Sequence, residues 1–541
     1  MFKSIIFVAF FGLLVSCSEG SISTGDQVFR YNESGGISTL DPAFAREQSN
    51  IWAVHQIFNG LVQMDSALRI QPCLARSWTI SDSGRLYSFR LRDRVLFHES
   101  TCFPDIPSRR LTSEDVVYSL ERLRDPKVAS PGSWVLQNVV EIRAVEDLVV
   151  EIRLREAFPP FLGLLTMKYC SVVSKRAMEC VGKDPGRSPI GTGPFYLKAW
   201  IPDEKMVLRR NPDYFETLNG EQLPFLEAVA ITFVPDKQSA FLEFLKGNND
   251  LISGLDASYK DELLTRDGAL KGKYKDQLLL QKIPYLNTEY LAFVVDDPHS
   301  IAHDPLIRKA LNLCLDREAM IRYLRNGLGQ PAEKGMIPRG LPAFDNEGKY
   351  GYSYDPEEAS RLLDSAGYPS GKGLSPITLY TTSDYLDLCE FVQSQAAEIG
   401  IRVEVEVLPP AVFREKKAGA AMPFFRASWI ADYPDAENYL SLFHSDNFTP
   451  AGPNYTHFSD PQFDRILELA RVEPNDSVRD ELYRKCDSIV MGQAPVMPLF
   501  YDEVVRFIRK DIRGMPPNPL NLLELKKVYF ESNSSSTVTG K

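Results

Sequence analysis

Residues 426–435 read Arg426-Ala427-Ser428-Trp429-Ile430-Ala431-Asp432-Tyr433-Pro434-Asp435. A fixed cation and a carboxylate stand six residues apart, with Trp429 between them and Tyr433 beside them. Arg426 offers a planar fork that matches a carboxylate through two parallel N–H bonds. Asp432 offers two oxygens to an ammonium. On an extended strand such residues share a face, and at ~3.3 Å per residue their Cα atoms lie at most ~20 Å apart. Side chains leaning inward, or a bend near Pro434, bring the charges to about 10–13 Å, the span of a tri- or tetrapeptide. This suits a small zwitterion held at both ends, with Trp429 and Tyr433 lining the pocket. The competing reading is an Arg–Asp surface pair beside a buried Trp, and this stretch alone weighs the two equally.

Working outward, no complete catalytic motif appears. Gly191-Thr192-Gly193-Pro194-Phe195 lacks the later glycine of a dinucleotide fingerprint and the Lys-Ser/Thr of a phosphate loop. It reads, like Gly371-Lys372, as a tight turn needing positive φ. His98-Glu99 begins like a zinc-protease motif but has Cys102 where the second His belongs. His299 and His303 are crowded into a loop by Pro298 and Pro305. There is no Gly-x-Ser-x-Gly elbow, and Asp384/Asp387 read as a solvated helix face. The expectation is a chain with no metal, no cofactor and no enzymatic activity.

The chain has 541 residues and a formal net charge of −11. That length implies two to four lobes, and that charge repels phosphate backbones, which excludes nucleic acid as a partner. Lys3 precedes an apolar run from Ile5 to Val15, suited to a signal-peptide core and too short to span a bilayer comfortably. The run ends in Leu14-Val15-Ser16-Cys17, which resembles a bacterial lipobox. Residues 1–16 are then a signal peptide, Cys17 is lipidated, and residues 17–25 are a polar linker from a membrane anchor. The Ser/Thr-rich residues 532–541 read as a disordered tail. Beyond Cys17 there are seven cysteines and no CxxC pair. An exported chain would allow Cys170 to oxidise with Cys180, or Cys73 with Cys102. Cys314 reads as a small buried apolar residue.

Between these ends strands and helices alternate. Tyr87/Phe89/Leu91, Val150/Ile152/Leu154 and Val403/Val405/Val407 alternate with polar residues as strands do. Thr112 heads a helix with Val116, Val117, Leu120 and Leu123 on one face. Asp304-Pro305, Asp355-Pro356 and Asp460-Pro461 open three more, the second buried through Leu362, Leu363 and Ala366 and stopped by Gly367. The class is α/β, with long strands crossing between lobes.

Nine stretches, in order, carry a resemblance. They are Thr39-Leu40-Asp41-Pro42, Pro72 to Trp78, Tyr87 to Arg92, Val95 to His98, Ser113 to Leu120, Gly191 to Phe195, Arg210 to Phe215, Arg308 to Asn312, and Tyr354 to Ala359. The chain resembles the family 5 extracytoplasmic solute-binding proteins of ABC importers from about Tyr31 to Phe507, and residues 426–433 resemble the oligopeptide-binding branch. The resemblance implies a periplasmic-binding-protein-like fold (class II type, cluster C): two lobes, a ligand cleft between them and an extra subdomain. Lobe I is expected at 26–60, 190–285 and 500–531, the subdomain at 61–189, and lobe II at 286–499. It implies that Arg426 meets a peptide C-terminus, that Asp432 holds the α-ammonium, and that Glu47 and Gln48 line the ligand. It also implies a monomer in the periplasm or at the cell surface, serving an ABC permease with its ATPase subunits. The same trap serves other solutes (sugars, opines, nickel or haem-like chelates), and a hydrolase is the remaining rival. Two stretches depart from the pattern. Glu99-Ser100 leads into an insert, Thr101 to Arg110, and Leu291-Ala292-Phe293-Val294-Val295 lacks the usual Asn-Thr.

Overall fold

Two strands set the architecture. Leu278–Phe293 and Val496–Arg509 pair antiparallel from Leu278↔Arg509 to Ala292↔Val496, with the register interrupted between Pro284 and Thr288. At ~3.3 Å per residue each is roughly 45–50 Å long. They lie inside an eleven-stranded sheet. Leu251–Ser253, Val28–Asn32, Ala228–Thr232, Lys205–Arg210 and Phe195–Ile201 extend it on one side, and Phe424–Ile430, Ile377–Thr381 and Val403–Val407 on the other. This is a computed structural model, and it describes residues 27–531 except 183, 255, 257 and 258. The expected signal peptide, Cys17 and the expected tail lie outside the described residues.

The apolar cores divide along the crossing strands. Ile508 packs with Phe29, Trp52, Ile57 and Val229 in one lobe. Val496 packs with Tyr290, Phe425 and Tyr439 in the other, whose second face buries Leu291, Phe424 and Phe500 under helices. A separate antiparallel sheet, Ala75–Ser81, Leu86–Leu91, Val149–Leu154 and Val139–Glu146, forms the additional unit. Tyr87, Phe89, Leu91, Val150, Ile152 and Leu154 point into its core beneath the helix Ser113–Arg124. Val403–Val407 is also a strand, but at the sheet edge, so Val407 is exposed.

The helix starts follow the capping chemistry. Thr112 and Asp115 form a reciprocal capping box. Asp304, Asp355 and Asp460 each accept a backbone N–H of the first turn, with proline as the first helical residue. Gly367, at φ +89°, ends the helix Pro356–Ser365.

Two expectations need correction. Cys102 bonds to Cys180, and Cys73 and Cys170 are free and buried. Pairing depends on which loops meet in space, and the insert after Glu99 folds back onto the helix Lys175–Val181. Gly191 and Gly193 are not in the positive-φ region; they are required by close approach. A Cβ on Gly191 would lie 2.0 Å from the Ile57 carbonyl oxygen, and one on Gly193 would lie 2.4 Å from the Ile57 carbonyl carbon. Cys314 is buried as expected.

Candidate functional site

Residues 424–430 form a strand antiparallel to the long strand, with Leu291 opposite Arg426 and Asn287 opposite Ile430. Phe425 and Ala427 enter the core of one face; Arg426, two residues from Phe424, is on the other. The strand ends where the Ala431 N–H donates to the Leu286 carbonyl (2.8 Å). Asp432 therefore stands off the sheet, beyond the last residue of the strand.

Asn438 fixes this corner. Its carbonyl oxygen accepts the Trp429 indole N–H (2.9 Å) and the Asp432 backbone N–H (3.0 Å), and its amide donates to the Asp432 carboxylate (3.4 Å). Asp432 reaches solvent, yet burial raises its pKa above the ordinary value, with Asn438 pulling the other way. Among the described residues no cation lies within ion-pairing distance of it.

Glu47 and Gln48, the other expected ligand-lining residues, belong to the first lobe. Glu47 is exposed at the start of the helix Gln48–Ile57. Gln48 and Trp52 both donate to the Asn521 carbonyl, at 3.3 and 2.7 Å. The Tyr169 hydroxyl is raised above its ordinary pKa by burial first; Arg46 opposes this, and Asp432 and Glu47 add to it. Asp432 and Glu47 thus both act on the Tyr169 hydroxyl.

Tyr433 and Arg426 differ from expectation. Tyr433 is 4% exposed and packs into the core of the additional unit. Its hydroxyl donates to Glu437, and a Cβ on Gly163 would lie 3.6 Å from its Cβ. Its ring joins this segment to the additional unit. The fork of Arg426 is engaged by Glu289, which accepts from Nε and, at 2.6 Å, from Nη2. Glu289 stands opposite Ser428, diagonal to Arg426 across the strand pair. The guanidinium also lies 3.2 Å from the Tyr385 ring centroid. Burial works against the charge of Arg426, and Glu289 more than offsets it, raising its pKa. A second pair, Arg325–Asp502 (2.5 Å), adjoins the first.

Glu289, Asn438 and Tyr169 escaped the sequence reading. Glu289 left a signal: it stands directly before the apolar run Tyr290 to Val295, and a charge buried in a central strand needs a partner. A cavity of about 650 Å³ lies elsewhere, between the 342–350 segment and the helices Pro461–Val472 and Asp476–Gln493, and includes none of these residues.

Two lobes strung on crossing strands, with a carboxylate that no cation pairs among the described residues, fit the two-lobed binding-protein fold. Residues 69–450 match the sequence model described as bacterial extracellular solute-binding proteins, family 5 Middle. The chain belongs to this family, and is a transport binding protein, not an enzyme. It is similar to the glutathione-binding protein GsiB of Shigella flexneri serotype 5b, 25% identical over 486 residues covering 88% of this chain and 89% of that protein. It is likewise similar to the dipeptide-binding protein of Escherichia coli K12, 24% identical over 496 residues with the same coverage. Among solved structures it is similar to the periplasmic binding protein DppA of Helicobacter pylori in complex with the peptide STSA. There the TM-score is 0.75 and identity 26%, over 93% of this chain and 98% of that one. No helix among the described residues is long and apolar enough to cross a membrane.

Proposed function

We propose that this protein captures short peptides outside the cytoplasm by closing its two lobes around them. It delivers them to an ABC permease with its ATPase subunits, and lipid on Cys17 ties it to a bacterial membrane. Asp432 carries the reading: an enclosed, solvent-accessible carboxylate with no cation partner, held rigid by Asn438, is the complement of a peptide's α-ammonium. Trp429 forms a wall, Glu47 and Gln48 face it from the other lobe, and the Arg426–Glu289 pair stands at the far end of the grip. The names of the glutathione- and dipeptide-binding relatives and the peptide in the Helicobacter pylori complex support a peptide over the other solutes.

The test is mass spectrometry of ligand retained through purification, with calorimetry against tri- to pentapeptides. A retained peptide, and micromolar or tighter binding of some member of the set, are expected. A retained sugar, opine or metal chelate, with no peptide bound, refutes the proposal.

A further inference from the structure

Arg426 is the residue expected to meet a ligand carboxylate, and it already holds one. Glu289 is 3% exposed at its side chain and Arg426 14%. Two of the five guanidinium N–H groups, on Nε and Nη2, go to Glu289, and Tyr385 lies against the guanidinium. The neighbouring Arg325 is matched by Asp502 (2.5 Å) and lies 4.1 Å from the Phe500 ring centroid. Asn287, opposite Ile430, donates to the same Asp502 (3.3 Å). These two arginines and two carboxylates sum to zero charge. Lys417, the other cation near Arg426, lies 4.6 Å from the Tyr455 ring, which packs on the opposite face of the strand.

A ligand carboxylate arriving at Arg426 has two options. It can displace Glu289, which leaves a carboxylate buried without a partner. Or it can take the remaining edge of the guanidinium, which places two anions side by side in a low-dielectric site. Both work against binding. We infer that Glu289 supplies the carboxylate for Arg426 from within the protein, so that the cleft selects ligands that bring an ammonium to Asp432 and no carboxylate to the Arg426 end. This rests on the peptide reading and narrows it to peptides whose C-terminus is blocked, or extends beyond Arg426.

The experiment is calorimetry of wild-type protein and Glu289→Gln with trialanine, its C-terminal amide and its N-acetyl form. Wild-type protein is expected to bind the amide about threefold or more tightly than the free acid and to lose the N-acetyl form. Glu289→Gln is expected to favour the free acid over the amide by about tenfold or more. Equal wild-type affinity for acid and amide, a wild-type preference for the free acid, or an unchanged ratio in Glu289→Gln overturns the inference and leaves the peptide reading standing. Should Glu289→Gln fail to fold, the double variant Glu289→Gln/Arg426→Gln, which removes both charges, substitutes for it. It is expected to keep the wild-type ratio, and a selective loss of acid binding overturns the inference. Failure of all three probes on wild-type protein overturns the peptide reading and this inference together.

Discussion

Asp432→Asn should cut peptide affinity sharply while leaving the fold intact. Asparagine keeps the volume, and the backbone N–H of residue 432 still reaches Asn438. What disappears is one negative charge facing the ligand ammonium. Unit charges ~4 Å apart interact by about 4 kcal/mol at an effective dielectric near 20. Because Asp432 also touches solvent, the lower part of the usual range for truncating such a pair applies, about 2–3 kcal/mol. That is a roughly 30- to 150-fold rise in Kd. The assay is calorimetry with free and N-acetylated peptide on both proteins; acetylation removes the same charge from the other side, so the two losses should not add. The pH dependence has a definite sign. The folded, unliganded carboxyl lies above its ordinary pKa, and the ammonium binds only the ionised form, so affinity is full above that raised pKa and is lost as pH falls through it. Asp432→Asn should be flat over the same range. Equal affinity of wild-type protein for free and acetylated peptide, or of Asp432→Asn and wild type for free peptide, would refute the reasoning.

Other expectations concern the frame around the cleft. Asp487 accepts from the backbone N–H groups of Met336 and Ile337, but burial pushes it up to about 7. Its unfolded value is near 4, so stability should fall as pH rises from about 4 to 7; in Asp487→Asn this component should vanish in melts across that range. Removing Cys102–Cys180, which closes a separation of 78 residues, should cost about 4 kcal/mol on a chain-entropy basis, seen as a lower urea midpoint. An unchanged midpoint would contradict this. Gly193→Ala would drive a Cβ to 2.4 Å from the Ile57 carbonyl carbon and should cost roughly 1–3 kcal/mol or more. Gly272→Ala, which meets nothing within 4 Å, should stay within about 0.5 kcal/mol in the same denaturation series.

Much of the scaffold was legible locally. The Asp-Pro helix starts, the Thr112 capping box and the alternation of Tyr87, Phe89 and Leu91 depend on neighbours a few residues away, so periodicity and capping chemistry reveal them. Asp432 was also legible, as a carboxylate six residues beyond an arginine. The cysteine pairing was not, because Cys102 meets Cys180 through an insert whose path depends on the rest of the fold. Gly191 and Gly193 were read as turn glycines for the same reason: the carbonyl of Ile57 that excludes a side chain is more than a hundred residues away.

By itself the sequence determined the α/β class, the elements, and a pair of charges suited to a small zwitterion. Tertiary structure decided what each charge is free to do. Asp432 steps off the end of its strand, is held by Asn438, and pairs with no cation among the described residues. Arg426 stays within the sheet, where antiparallel register sets Glu289 diagonally beside it. The difference is physical: local pattern specifies a side chain's charge and the face it shares, but its partner is specified by the neighbouring strand, here 137 positions away in the chain.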